Sequence, residues 1–178
     1  MADAVVIPGG GFGPAAGLLM YAGVVAERRG VTVHRHWWSH PPSHLFEPQS
    51  ESWVCDEIRP LLDRLGGNTL LIGKSLGTNA ATLAAERSLP AVWLTPILTV
   101  PWVVAALERA TAPVLLVGGT GDAMWDGAEA RRLSPYVLEV GDADHGMQVP
   151  GPVGESVAVL GRVLTAIEEF LDAIAWPP

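Results

Sequence analysis

Six short apolar runs rich in branched residues punctuate the chain, at 4–7, 31–36, 69–72, 91–94, 114–117 and 136–140. They are mostly continuous rather than alternating, the pattern of strands covered on both faces in a parallel sheet. Between them the apolar positions recur at helical spacing. Segment 15–29 follows Pro14, a residue suited to the first helical position, and stops at Gly30. Trp53, Val54, Ile58, Leu61, Leu62 and Leu65 form a second stripe that ends at Gly66-Gly67. Pro60 inside that stripe predicts a kink or a late helix start, because proline removes a backbone donor and crowds the preceding turn. In the last helix Val157, Leu160, Leu164, Ile167, Leu171 and Ile174 keep to one side, which Arg162, Glu168, Glu169 and Asp172 mostly avoid. Strands alternating with helices over the whole length predict a doubly wound α/β fold, a three-layer α/β/α sandwich on a mostly parallel sheet of about six strands. Functional loops then lie at the carboxyl ends of the strands. No repeat, linker or low-complexity tail interrupts the pattern, so 1–178 reads as a single domain.

Composition narrows the classes of function. Apolar residues make up 49% of the 178 and charged ones only 17%, which excludes disorder as the main state. The net charge is −8, Lys74 is the only lysine, and no basic run occurs, so nucleic acid is not expected as a partner. Cys55 is the single cysteine; it cannot form an internal disulfide and has no histidine or cysteine at zinc spacing. Two uncharged stretches, 4–26 and 88–107, are broken by prolines and, in the first, glycines, so neither is expected to span a membrane. The only charge before the first apolar run is Asp3, whereas a secretory signal starts basic, and the expected location is cytoplasmic.

The chemistry concentrates in one segment. The strand 69–72 runs into Gly73-Lys74-Ser75-Leu76-Gly77, followed by the helix-compatible 78–86. Gly-x-Ser-x-Gly in a strand–turn–helix context is the pattern of a nucleophile elbow. So tight a turn holds the serine in strained backbone geometry and leaves no room for side chains two residues to either side. A serine so placed is exposed at the positive end of a helix, where backbone donors can face a developing oxyanion. It still needs a base, and the base an orienting acid. Asp122 follows the strand 114–117, and His145 follows the strand 136–140. Asp126 is the rival acid, disfavoured because the acid should leave its strand directly, while Asp142 and Asp144 read as loop charges or turn formers.

The order Ser, Asp, His over nearly the whole chain resembles the α/β-hydrolase superfamily, and within it small lidless serine hydrolases. The opening Val5-Val6-Ile7-Pro8-Gly9-Gly10-Gly11-Phe12-Gly13 is similar to that family's strand and glycine loop. The resemblance implies an oxyanion hole formed by the Leu76 and Gly10 N–H groups, with Gly11 as the alternative to Gly10. It also implies a Ser75–His145–Asp122 triad acting on a small acyl substrate, with no cofactor. Departures are visible: the family often has histidines where Pro8 and Lys74 stand, and its two leading strands are missing. The short connection 95–101 leaves no room for a cap, which implies an open, shallow site.

Four further histidines, His34, His36, His40 and His44, cluster before Pro41-Pro42 and beyond, but acidic ligands are sparse and no metal is expected. Trp37, Trp53 and Trp93 read as core. Trp102 and Trp125, each following a strand end, are expected to line an acyl pocket with Phe12 and Met147. A phosphate loop around Gly73-Lys74-Ser75 fails because Asn68 stands where that motif requires glycine. A dinucleotide site at Gly9-x-Gly11 fails because position 14 is proline and the strand 31–36 ends without an acid. The remaining alternative is a non-catalytic binding or scaffold protein that keeps the hydrolase fold.

Overall fold

A computed structural model describes residues 2–11, 13–40 and 47–178. The chain runs β1 (Asp3–Ile7), α1 (Gly17–Arg28), β2 (Thr32–Arg35), α2 (Gln49–Leu62), β3 (Thr69–Lys74), a 3-10 turn (Ser75–Ala80), α3 (Ala81–Arg87), β4 (Ala91–Leu94), α4 (Pro101–Glu108), β5 (Val114–Gly119), α5 (Gly127–Leu133), β6 (Tyr136–Val140) and α6 (Val153–Ala173). The strands form one sheet in the order β2-β1-β3-β4-β5-β6, every pair parallel.

Alternate residues of each strand face opposite layers. Val5, Ile7, Leu71, Trp93 and Leu116 pack toward α2, α3 and α4. Ala4, Val6, Leu70, Ile72, Val92, Leu94, Leu115 and Val117 pack toward α1 and α6. Both faces are covered, which is why the central runs carry no polar alternation. The order reverses between β1 and β3, and the register sets Ile7 beside Gly73 at their carboxyl ends. The loops that leave these two strands therefore meet over one crevice, the usual place for a site in such sheets.

Three helix details differ from the sequence reading. α1 starts at Gly17 with Ala16 at its cap, so Pro14 lies in the preceding turn rather than at the first helical position. α2 starts at Gln49 and runs on through Pro60 to Leu62, so the proline does not delay the start of the helix. The buried stripe of α6 is Val159, Val163, Ile167, Phe170 and Leu171, while Val157 is 60% exposed. The amino-terminal half of α6 is apolar on two sides, and contact with the sheet selects one of them.

Candidate active site

The elbow is dictated by close approach. A β-carbon on Gly73 would lie 2.4 Å from Trp93 Cζ3, and one on Gly77 would lie 2.6 Å from the Ile7 carbonyl oxygen. Either contact is closer than real β-carbons tolerate, so both positions require glycine. Between them Ser75 takes φ +51°, left-handed backbone that costs a serine of order 1–3 kcal/mol and recurs at functional sites. Thr95, Asp142 and Met147 share positive φ, and all three lie beyond strand ends on this same rim.

Asp122 and His145 reach Ser75 from two stapled loops. The Gly121 N–H donates to the Ala143 carbonyl at 3.0 Å, and the Asp142 N–H donates to Thr120 Oγ1 at 2.8 Å. Asp122 is buried; its Oδ1 accepts the Met124 N–H at 2.9 Å, and its Oδ2 lies 2.7 Å from His145 Nδ1. His145 Nε2 lies 2.8 Å from Ser75 Oγ. A carboxylate can only accept, so Nδ1 donates to Asp122 and Nε2 is left to accept from the Ser75 hydroxyl. Asp126 is engaged elsewhere, capping α5 by accepting from the Ala128 and Glu129 N–H groups. Asp144 shapes the His145 turn by accepting from the Gly146 and Gln148 N–H groups.

One side chain escaped the sequence reading. Lys74 Nζ donates to the His145 backbone carbonyl at 2.8 Å and to Thr95 Oγ1 at 3.0 Å, joining the loops after β3, β4 and β6. Burial pushes the Lys74 ammonium below the ordinary lysine pKa, and the nearby Asp122 and Asp144 charges oppose that shift. The available signal was a chain's only lysine placed directly before the elbow serine.

A cavity of about 610 Å3 opens beside Ser75 and His145. Its walls are the glycine loop at Gly9, Gly10, Gly11 and Gly13, the first turn of α1 at Ala16, Leu18 and Leu19, and Lys74 and Gln148. Leu76 is fully buried behind Ser75. Among the described residues, Trp102, Trp125 and Met147 do not line this cavity. Trp102 instead donates from Nε1 to Asn79 Oδ1 at 2.9 Å, and Asn79 in turn donates to the Leu76 carbonyl, so this indole braces the elbow from behind. Trp125 covers Gly118 and donates to Glu139 Oε2 at 2.8 Å. Met147 is 3% exposed and packs into the core on the α1 and α6 side. Phe12 and His44 lie outside the described residues. Trp93 is fully buried and Trp53 partly so, but Trp37 is 62% exposed and lies over Gly13.

The other described histidines of the cluster do not converge. His34 Nε2 pairs with Asp3 Oδ1 at 2.9 Å, and His36 faces Glu57 from α2. Among the described residues no group of three or more histidine, cysteine or acidic side chains is arranged to hold a metal ion. Among them, too, no helix is long and apolar enough to cross a membrane.

A parallel sheet with this order, crossed by an elbow serine that is hydrogen-bonded to a histidine and through it to an aspartate, has the α/β-hydrolase fold. Solved structures carry the same fold. Est1E from Butyrivibrio proteoclasticus superposes with a TM-score of 0.74 at 13% identity, over 98% of this chain and 88% of that one. Alpha/beta hydrolase domain-containing protein 10 from mouse gives 0.69 at 16% identity, over 96% and 90%. A monoacylglycerol lipase from Paleococcus ferrophilus gives 0.64 at 16%, over 92% and 94%. No protein-family model and no curated protein matches the sequence.

Proposed function

We propose that the protein is a serine hydrolase that cleaves a small carboxylic ester or thioester through an acyl-enzyme. The observation that carries the reading is the unbroken chain from Ser75 Oγ to His145 Nε2 at 2.8 Å and from His145 Nδ1 to Asp122 Oδ2 at 2.7 Å. In the first step Ser75 Oγ attacks the carbonyl carbon while its proton passes to His145 Nε2. The carbonyl oxygen becomes an oxyanion, held by the N–H groups of Leu76 and Gly10, with Gly11 as the alternative donor; loss of one such donor costs about 3–4 kcal/mol in a protease of the same chemistry. The intermediate collapses by breaking the bond to the leaving oxygen or sulfur, which takes the proton from Nε2. Water then attacks the acyl-enzyme, again giving its proton to His145, and the acid leaves as Ser75 is reprotonated. Asp122 holds the ring and stabilises the imidazolium throughout.

The neighbouring folds support an acyl substrate: one is a monoacylglycerol lipase, and Est1E has been observed with ferulic acid bound. The cavity, walled by glycines, Ala16, Leu18 and Leu19 together with Lys74, Asp144 and Gln148, suits a compact acyl group. The test is reaction with a fluorophosphonate probe followed by intact mass. One adduct on the natural chain, lost in Ser75→Ala, together with turnover of short-chain aryl esters, is the expected result. An unmodified protein with no turnover would favour a binding or scaffold role on the same fold.

A further inference from the structure

We infer that Trp38 is a positioning residue for the oxyanion hole, aiming the Gly10 N–H by holding the carbonyl that precedes it. The inference rests on the serine-hydrolase reading above. Trp38 Nε1 donates to the Gly9 carbonyl oxygen at 3.0 Å. The Gly9–Gly10 peptide is trans. In a planar trans unit the C=O and the following N–H point to opposite sides, so fixing one direction fixes the other. Gly9, Gly10, Ser75 and His145 border the cavity and Trp38 does not. A Gly9 carbonyl held toward Trp38 therefore turns the Gly10 N–H toward the cavity. Among the described residues no hydrogen bond takes up that N–H. The loop also sits close enough to matter, since a β-carbon on Gly9 would lie 3.4 Å from Ser75 Cβ.

A run of glycines has no side chains to hold its peptide planes and rotates more freely than any other sequence. The segment after β2 supplies what the run lacks. Trp38 is itself fixed, its ring 4.8 Å from Trp53 of α2 and 4.7 Å edge-on to His36. Its neighbour Trp37 lies against Gly13, so adjacent indoles clamp both ends of the loop. Trp37 reads as core in the sequence, yet it and Trp38 both lie against the loop beside the nucleophile.

The test uses two variants of the whole chain. Trp38→Phe keeps a ring in the stack and removes the N–H. Site-specific replacement of Trp38 by its benzothiophene analogue keeps the shape as well, with sulfur in place of the N–H, so that folding is not at issue. For both, kcat is expected to fall about 10- to 100-fold, the range for a misplaced group, with KM within about twofold of the natural chain. Affinity for a trifluoromethyl ketone, which forms the tetrahedral adduct, should fall by the same factor, while the melting temperature of the analogue is unchanged. A folded analogue with kcat within about twofold of the natural chain, or a loss carried by KM alone, would overturn the inference. Labelling of natural Ser75 by fluorophosphonate separates the two readings. If the natural chain is labelled and the variants turn over equally well, only the role of Trp38 fails. If the natural chain is inert, the hydrolase reading fails and takes this one with it.

Discussion

Lys74 and His145, 71 residues apart in the chain, are joined by a hydrogen bond from the ammonium to the backbone carbonyl. The same ammonium holds Thr95, whose φ of +43° is a conformation threonine rarely adopts. A half-buried cation thus ties the His145 loop to the strand end that carries Ser75. Lys74→Met should lower kcat/KM by about tenfold or more through misplacement of His145. Because burying an ammonium is costly, the same change should leave the melting temperature equal or higher. Ester turnover and thermal unfolding of one preparation check both halves, and a fall in stability with full activity would contradict them.

The two candidate acids predict opposite phenotypes. Asp122→Asn keeps the shape but removes the acceptor that sets the His145 tautomer, and should cost about 10⁴ in kcat, the size of effect that the same change has in a serine protease. Asp126→Ala removes only a helix cap, so it should cost about 0.5–2 kcal/mol of stability with turnover within about twofold. Steady-state kinetics beside chemical denaturation distinguishes them.

Gly77 faces the Ile7 and Pro8 carbonyl oxygens, at 2.6 and 3.1 Å from a β-carbon built there. Main-chain atoms cannot swing aside as a flexible side chain can. Gly77→Ala should cost about 1–3 kcal/mol or more by overpacking, and should displace the elbow so that fluorophosphonate labelling slows with it. Denaturant midpoints together with labelling rates provide the measurement.

His36 carries a pH dependence of stability. Burial lowers its pKa from 6.5, opposed by the Glu57 carboxylate, whose Oε2 lies 3.2 Å from Nε2. The unfolded chain then takes up the proton first as the pH falls below 6.5. The stability that neutral His36 contributes is intact above that pH and is lost as the pH falls through the lower folded value. His36→Phe, which keeps a ring against Trp38, should flatten this acid limb when unfolding free energy is measured from pH 7.5 down to about 5.

The strands were legible because burial on both faces leaves unbroken apolar runs, and only their ends moved: β5 continues through Gly118 and Gly119, which carry no side chain to announce a strand. The meeting of Ser75, Asp122 and His145 follows from the fold class, since each comes after a strand of one parallel sheet and is carried to the same rim. Side-chain direction was not legible. Trp102 stands in the first turn of α4 and Trp125 in the loop between β5 and α5, and their indole N–H groups turn to polar partners on Asn79 and Glu139. The Lys74 bridge needs three loops to arrive together, and the Val159 stripe of α6 is chosen by packing over an equally apolar alternative. The lone lysine before the serine marks a place to look, but local pattern shows neither its partners nor the choice of stripe.

The reversal of strand order between β1 and β3 also bears on how the protein is made. The glycine loop and the elbow belong to neighbouring strands, yet α1, β2 and α2 lie between them in the chain. Pairing them closes a long loop, a slow kind of step in folding. The crevice between these loops does not exist in any partly folded chain in which β1 and β2 have paired but β3 has not docked. Recovery of the proposed acyl transfer during refolding would therefore time the closing of that single seam, while helix signals recovered earlier would report everything that can form without it.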